Sequence, residues 1–66
     1  MEIELNGEKM QVPTEISAAG LIDHLKLADK RLALEVNQEI VPRSQYAEVM
    51  IKDNDTVEIV HAIGGG

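Results

Sequence analysis

The sequence closes on His61-Ala62-Ile63-Gly64-Gly65-Gly66, and its most distinctive reactive group is a carboxylate carried on three glycines. Without a Cβ, a glycine strand can thread a channel too narrow for any other residue and leaves the carbonyl carbon sterically open. Fixing a backbone costs about 1–2 kcal/mol per residue, and glycine has no side chain whose burial offsets that, so Gly64 to Gly66 are expected to be mobile in the free chain. A carboxylate is itself a poor electrophile, because its charge repels nucleophiles and its oxygen leaves badly. Transfer to the α-phosphate of ATP would give an acyl-adenylate, from which a sulfur donor could displace AMP and leave a thiocarboxylate. The sequence has no glycine-rich loop followed by lysine and serine or threonine to cradle the phosphates, so activation falls to another protein. Glycine ends also occur as inert terminal segments, and the tail alone does not decide between the two.

Other residue types offer less. There is no cysteine, which excludes disulfides, thiolate metal sites and a cysteine nucleophile, so any sulfur chemistry must use a different atom. His24 falls on the polar side of a helical pattern and His61 in a strand pattern, with no clustered partner to complete a metal or acid–base site. His61 reads as a sheet-surface residue near a partner contact. Ser17 and Ser44 lack a neighbouring histidine and carboxylate and read as helix or turn caps. Tyr46, the only aromatic residue, reads as a cover over the edge of a small core rather than a recognition anchor. Arg43 reads as a surface charge, since an exposed ion pair contributes only about 0–1 kcal/mol.

These groups must be positioned by a very small body. A chain of 66 residues makes one domain that buries only about 60% of its unfolded surface. The 44% apolar and 27% charged composition is that of a folded domain rather than a disordered tail. Twelve acidic residues against six basic ones oppose binding to a phosphate backbone and favour steering toward a basic protein surface. No apolar run approaches the roughly 18 residues of a membrane span, and the start, Met1-Glu2-Ile3-Glu4, does not look like a signal peptide. The expectation is a cytoplasmic protein, monomeric when free, with neither nucleic acid nor membrane as partner and no bound metal or cofactor.

Met1, Ile3 and Leu5 alternate with polar residues as in a half-buried strand, Asn6-Gly7 suits a tight turn, and Met10 and Val12 resume the alternation until Pro13. Ser17 is placed to cap a helix, with Ile16 before it as a staple onto Leu21. Ala18, Leu21, Ile22 and Leu25 then form an apolar stripe, with Asp23, His24 and Lys26 toward water. Gly20 should weaken this helix by about 1 kcal/mol unless close packing needs the missing side chain. Leu32, Leu34 and Val36 mark a third strand, Asn37-Gln38 a turn, and Glu39-Ile40-Val41 a short fourth strand closed by Pro42. Arg43 to Val49 reads as a helical turn or irregular segment, Lys52 to Asp55 as a polar turn, and Thr56 to Ala62 as a last strand with Val57 and Ile59 inward. The order is ββαββ, an α+β roll in which Val60 and Ala62 leave an apolar patch on the outer face beside the tail.

Val36-Asn37-Gln38-Glu39-Ile40-Val41-Pro42-Arg43-Ser44-Gln45-Tyr46, then Asp53-Asn54-Asp55-Thr56-Val57-Glu58-Ile59 and the terminal glycines, resemble the ThiS family, the sulfur carriers of thiamine biosynthesis. The likeness covers the second half in detail and the whole chain in length and element order. The glycine terminus alone is shared with the molybdopterin-synthase small subunit and other ubiquitin-like proteins. Two departures stand out: Asn54 where the family often has glycine, and Gly20 in a helix usually richer in glutamate. Asparagine tolerates a left-handed backbone, so the turn can survive.

The resemblance implies a ubiquitin-like β-grasp domain over residues 1–63, with a mixed sheet packed on one main helix and a flexible tail at residues 64–66. The last strand would lie centrally and parallel to the first. It also implies that the chain is not an enzyme but a protein cosubstrate. A ThiF-like enzyme would adenylate Gly66 with ATP, a sulfur donor protein would convert it to a thiocarboxylate, and ThiG-like thiazole synthase would receive the sulfur. Ile63, Gly64 and Gly65 would then occupy a partner's channel, with Val60 and Ala62 helping to dock the body. Rival readings are a sulfur carrier for molybdopterin or another acceptor, a protein modifier joined through Gly66 to lysines, and an interaction module with an inert tail.

Overall fold

The computed structural model describes residues 1–61; Ala62, Ile63, Gly64, Gly65 and Gly66, with every expectation placed on them, lie outside the described residues. Strands β1 (Glu2–Leu5) and β2 (Glu8–Gln11) form an antiparallel hairpin. Its turn residues Asn6 and Gly7 both have positive φ, 50° and 85°, as a tight turn matched to strand twist requires. Val12 is buried just beyond β2 rather than within it, its amide held by the Met1 carbonyl at 2.9 Å.

Helix α1 (Ala18–His24) begins as the sequence suggests: the Ser17 side-chain oxygen accepts from the Gly20 amide at 3.0 Å. It ends earlier than the apolar stripe predicts. Leu25 is the C-cap, and Lys26 turns left-handed at φ 62°. The Leu27 amide then returns to the Ile22 carbonyl and the Lys26 amide to the Asp23 carbonyl, each at 2.9 Å, a closure that glycine usually provides. Lys26 is exposed as expected, but as a cap residue and not as part of a helical face.

Strands β3 (Leu32–Val36) and β4 (Glu39–Val41) form the second hairpin around Asn37-Gln38, followed by a short 3₁₀ turn at Arg43–Gln45. The chain then crosses back to β5 (Thr56–His61). The sheet order is β2-β1-β5-β3-β4, with β5 parallel to β1 and antiparallel to β3. This is the ubiquitin-like β-grasp arrangement, with the last strand in the middle.

Alternation along each strand turns one face of the sheet onto α1. Ile3, Leu34, Val57 and Ile59 pack with Ala18, Leu21 and Ile22 in one core, sealed by Val12, Val41 and Ile51. Each of these leucines, isoleucines and valines, fully buried, contributes about 1.5–3 kcal/mol. No polar or charged residue is buried among the described residues, so specificity of the fold rests on shape and on turns. Gly20 is explained by that shape: a Cβ there would lie 2.8 Å from Ile16 Cγ1, so the helix gives up propensity to let the preceding segment close over it.

Candidate functional site: the outgoing end of the central strand

The residues expected to react follow β5, so the geometry that bears on function is how β5 is held and what surrounds its last described residue. Its start is fixed on both sides. The Asn37 amide donates to the Thr56 carbonyl at 2.7 Å, and Asn37 Oδ1 accepts from the Thr56 amide at 3.0 Å. Asn37 Nδ2 reaches Asp55 Oδ1 at 3.0 Å, while Asp55 Oδ2 accepts from the Lys52 amide at 2.8 Å. On the β1 side the Glu2 amide donates to Asp53 Oδ1 at 2.9 Å and the Asn54 amide to the Glu2 carbonyl at 2.7 Å. Asn54 itself is left-handed at φ 69°, a conformation that asparagine tolerates in place of glycine.

Toward its outgoing end β5 loses one neighbour. Pairing with β1 covers Glu4↔Thr56 and Leu5↔Val57, whereas pairing with β3 runs on to Leu32↔His61. Where β1 turns away, Asn6 substitutes for a strand: its backbone amide donates to the Val57 carbonyl at 2.9 Å. Its side-chain amide accepts from the Ile59 N–H at 2.8 Å and donates to the Ile59 carbonyl at 3.2 Å. Asparagine carries both a donor and an acceptor on one planar group, so it can imitate a peptide unit. Sequence reading assigned Asn6 to a turn only; nothing in a single Asn-Gly pair signals that its side chain reaches a strand more than fifty residues away.

Around this end, Val60 lies on the outer face of the sheet, 60% exposed, opposite Ala33. Val60 is thus the described part of the expected apolar patch, Ala62 lying outside the described residues, and Ile40 of β4, 73% exposed, lies on the same face across β3. His61 is exposed at the sheet's end. On the helix side, beside the Leu32 that pairs with His61, a shallow groove of about 220 Å³ is lined by Ile22, Leu27, Leu32, Tyr46, Lys30 and Arg43. Tyr46 is half-buried against the core, as a covering residue, and also forms a wall of this groove.

The remaining candidates take structural positions. Ser17 is the helix cap, and Ser44 sits exposed in the 3₁₀ turn. His24 is exposed at the end of α1. Among the described residues, no three histidine, aspartate or glutamate side chains gather as a metal site. No helix among them is long and apolar enough to cross a membrane.

The ThiS family model matches residues 2–66. The chain belongs to the ThiS family. Relatives include the thiazole synthase of Paramagnetospirillum magneticum, 39% identical over the whole of this chain but only 20% of that protein. The chain thus spans about a fifth of the length of such thiazole synthases. The sulfur carrier protein ThiS of Escherichia coli strain K12 is 33% identical over all of both chains. Among solved structures, the ThiS thiamine biosynthesis protein of Geobacter metallireducens superposes with a TM-score of 0.87 at 29% identity, again over all of both chains. The departures noted in the sequence, Gly20 and Asn54, are absorbed locally by Ile16 packing and by a left-handed turn, and neither alters the ThiS fold.

Proposed function

We propose that this chain is a sulfur carrier for building the thiamine thiazole ring, with the Gly66 carboxyl carbon as its reactive centre. The support is the correspondence, over the whole of both chains, with a ThiS sulfur carrier, joined to a body whose central strand ends at His61, two residues before the glycines in sequence. A ThiF-type partner holds ATP, and the Gly66 carboxylate attacks its α-phosphorus, releasing pyrophosphate. Sulfide-level sulfur (HS⁻) released by a donor protein then attacks the acyl carbon and displaces AMP, leaving the thiocarboxylate and one proton. The thiocarboxylate is presented to a ThiG-type thiazole synthase, an acceptor consistent with the thiazole synthases among the relatives.

In this reading the domain supplies no catalytic side chain and acts as a protein cosubstrate. Ile63, Gly64 and Gly65 lie in the partner's channel, while Val60 and Ala62 dock against its surface. The clamps on β5 matter here because they fix where the tail starts, whereas glycine's small size governs where it can go.

The test is intact mass after incubation with ATP, a ThiF-type enzyme and a sulfur donor. A gain equal to exchange of one oxygen for sulfur at Gly66 is the expected result, and an unchanged mass rejects the reading. Transfer to thiazole synthase distinguishes a thiamine role from service to molybdopterin synthase, and conjugate ladders on a denaturing gel would mark a modifier instead.

A further inference from the structure

The antiparallel register of β3 and β5 sets Glu35 directly opposite Glu58. Both belong to the outer face, because Leu34, Val57 and Ile59 on either side of them are buried against the helix. Directly opposed residues in such a pair have Cβ atoms about 5 Å apart, and like charges there destabilise the sheet. Among the described residues the single ion pair is Lys9 with Glu2 at 3.8 Å, so no cation offsets Glu35 or Glu58. Neither side chain accepts a hydrogen bond from a described residue.

Toward β4 and the outgoing end of β5 the neighbours of this pair are apolar, whereas on the other side lie the polar residues Asn6, Asn37 and Thr56. Ile40 lies opposite Glu35 on the β4 side, and Ala33 and Val60 form the next outward-facing row toward the end of β5. Ile40 and Val60 are among the most exposed large apolar residues of the molecule. Two carboxylates set side by side, with exposed aliphatic groups on one flank, are unfavourable in the isolated domain and favourable against a surface that brings a cation to them.

We propose that the Glu35–Glu58 pair is a specificity determinant for docking, resting on the carrier reading above, and that it receives an arginine or lysine projecting from an apolar surface of the adenylating partner. The apolar contacts of Val60 and Ile40 exclude water around that cation, which strengthens its attraction to both carboxylates. The position also suits the chemistry that follows. Glu58 lies three residues before His61, at the last described residue of β5, so engaging the pair fixes the strand's direction relative to the partner's nucleotide site.

The experiment compares the wild-type chain, Glu35→Gln/Glu58→Gln and a charge-matched control, Glu8→Gln/Glu48→Gln, against the ThiF-type enzyme at several salt concentrations. Pyrophosphate release is read on the same samples. The outer-face variant is expected to melt no lower than wild type, to bind about tenfold or more weakly at low salt, and to lose most of its salt dependence, while the control binds as wild type does. Binding of the outer-face variant equal to that of the control overturns the proposal, whether or not that variant self-associates. Failure of the wild-type chain to bind and release pyrophosphate would overturn the carrier reading as well, whereas normal wild-type activity with an indifferent outer-face variant overturns the docking proposal alone.

Discussion

The side-chain amide of Asn6 brackets the peptide of Ile59, accepting from its N–H at 2.8 Å and donating to its carbonyl at 3.2 Å across 53 positions of sequence. The hairpin turn that ends the β1 pairing thus also secures β5 beyond the reach of β1.

Replacing Asn6 by alanine removes both hydrogen bonds, each with a net value of about 0.5–1.5 kcal/mol, and puts a side chain that disfavours it at φ 50°. Asn6→Ala should cost about 2–3 kcal/mol in urea unfolding. Asn6→Gly relieves the backbone conflict but not the lost bonds, and should fall between the two. Amide exchange should accelerate at Ile59 in both variants, more than at Leu34 on the opposite side of β5, if the bracket acts locally.

Gly20 offers a test of packing against propensity. In an unobstructed helix, glycine to alanine stabilises by about 1 kcal/mol. Here the new Cβ would meet Ile16 Cγ1 at 2.8 Å, so Gly20→Ala alone should fail to stabilise and should lower the melting temperature. In an Ile16→Ala background, which removes Cγ1, the same change should recover a gain of about 1 kcal/mol. Additive effects across this double-mutant cycle would show that the contact is not the reason for the glycine.

The two ends of the described chain lie toward opposite ends of the sheet, because β1 and β5 run parallel. Glu2 contacts the turn that starts β5, whereas His61 lies at its far end beside Leu32. One alanine added after Gly66 should abolish thiocarboxylate formation by moving the carboxylate out of register with ATP, while a flexible extension before Met1 should leave loading within about twofold of wild type. Intact mass after the loading reaction reads both, and loading of the extended tail would contradict the assignment of Gly66 as the reactive residue.

How much of this was legible beforehand depended on whether a feature was local. Asn6-Gly7, Ser17 and the alternation of Ile3, Leu34, Val57 and Ile59 report their own roles, because turn, cap and strand periodicity are short-range properties. The turn at Asn37-Gln38 was legible, but the left-handed backbone at Glu15 and Lys26 (φ 55° and 62°) was not, since these residue types carry no preference for that region and are held there by the surrounding structure. Lys26 was accordingly assigned to a helical face when it closes the helix. The opposition of Glu35 and Glu58 was hidden for a different reason: strand register is a long-range relation that neither segment specifies alone. The chemistry of Gly66 came from residue type and from resemblance, and its position lies outside the described residues.

Because β5 occupies the middle of the sheet and comes last among its strands, the two hairpins share helix α1 but have no strand to join them until Thr56–His61 has been made. A chain shorter than that leaves the inner edges of β1 and β3 without the strand that pairs them both. Joining the two hairpins rests on pairings far apart in sequence, Leu5 with Val57 among them, and such long-range closure is slow compared with forming either hairpin.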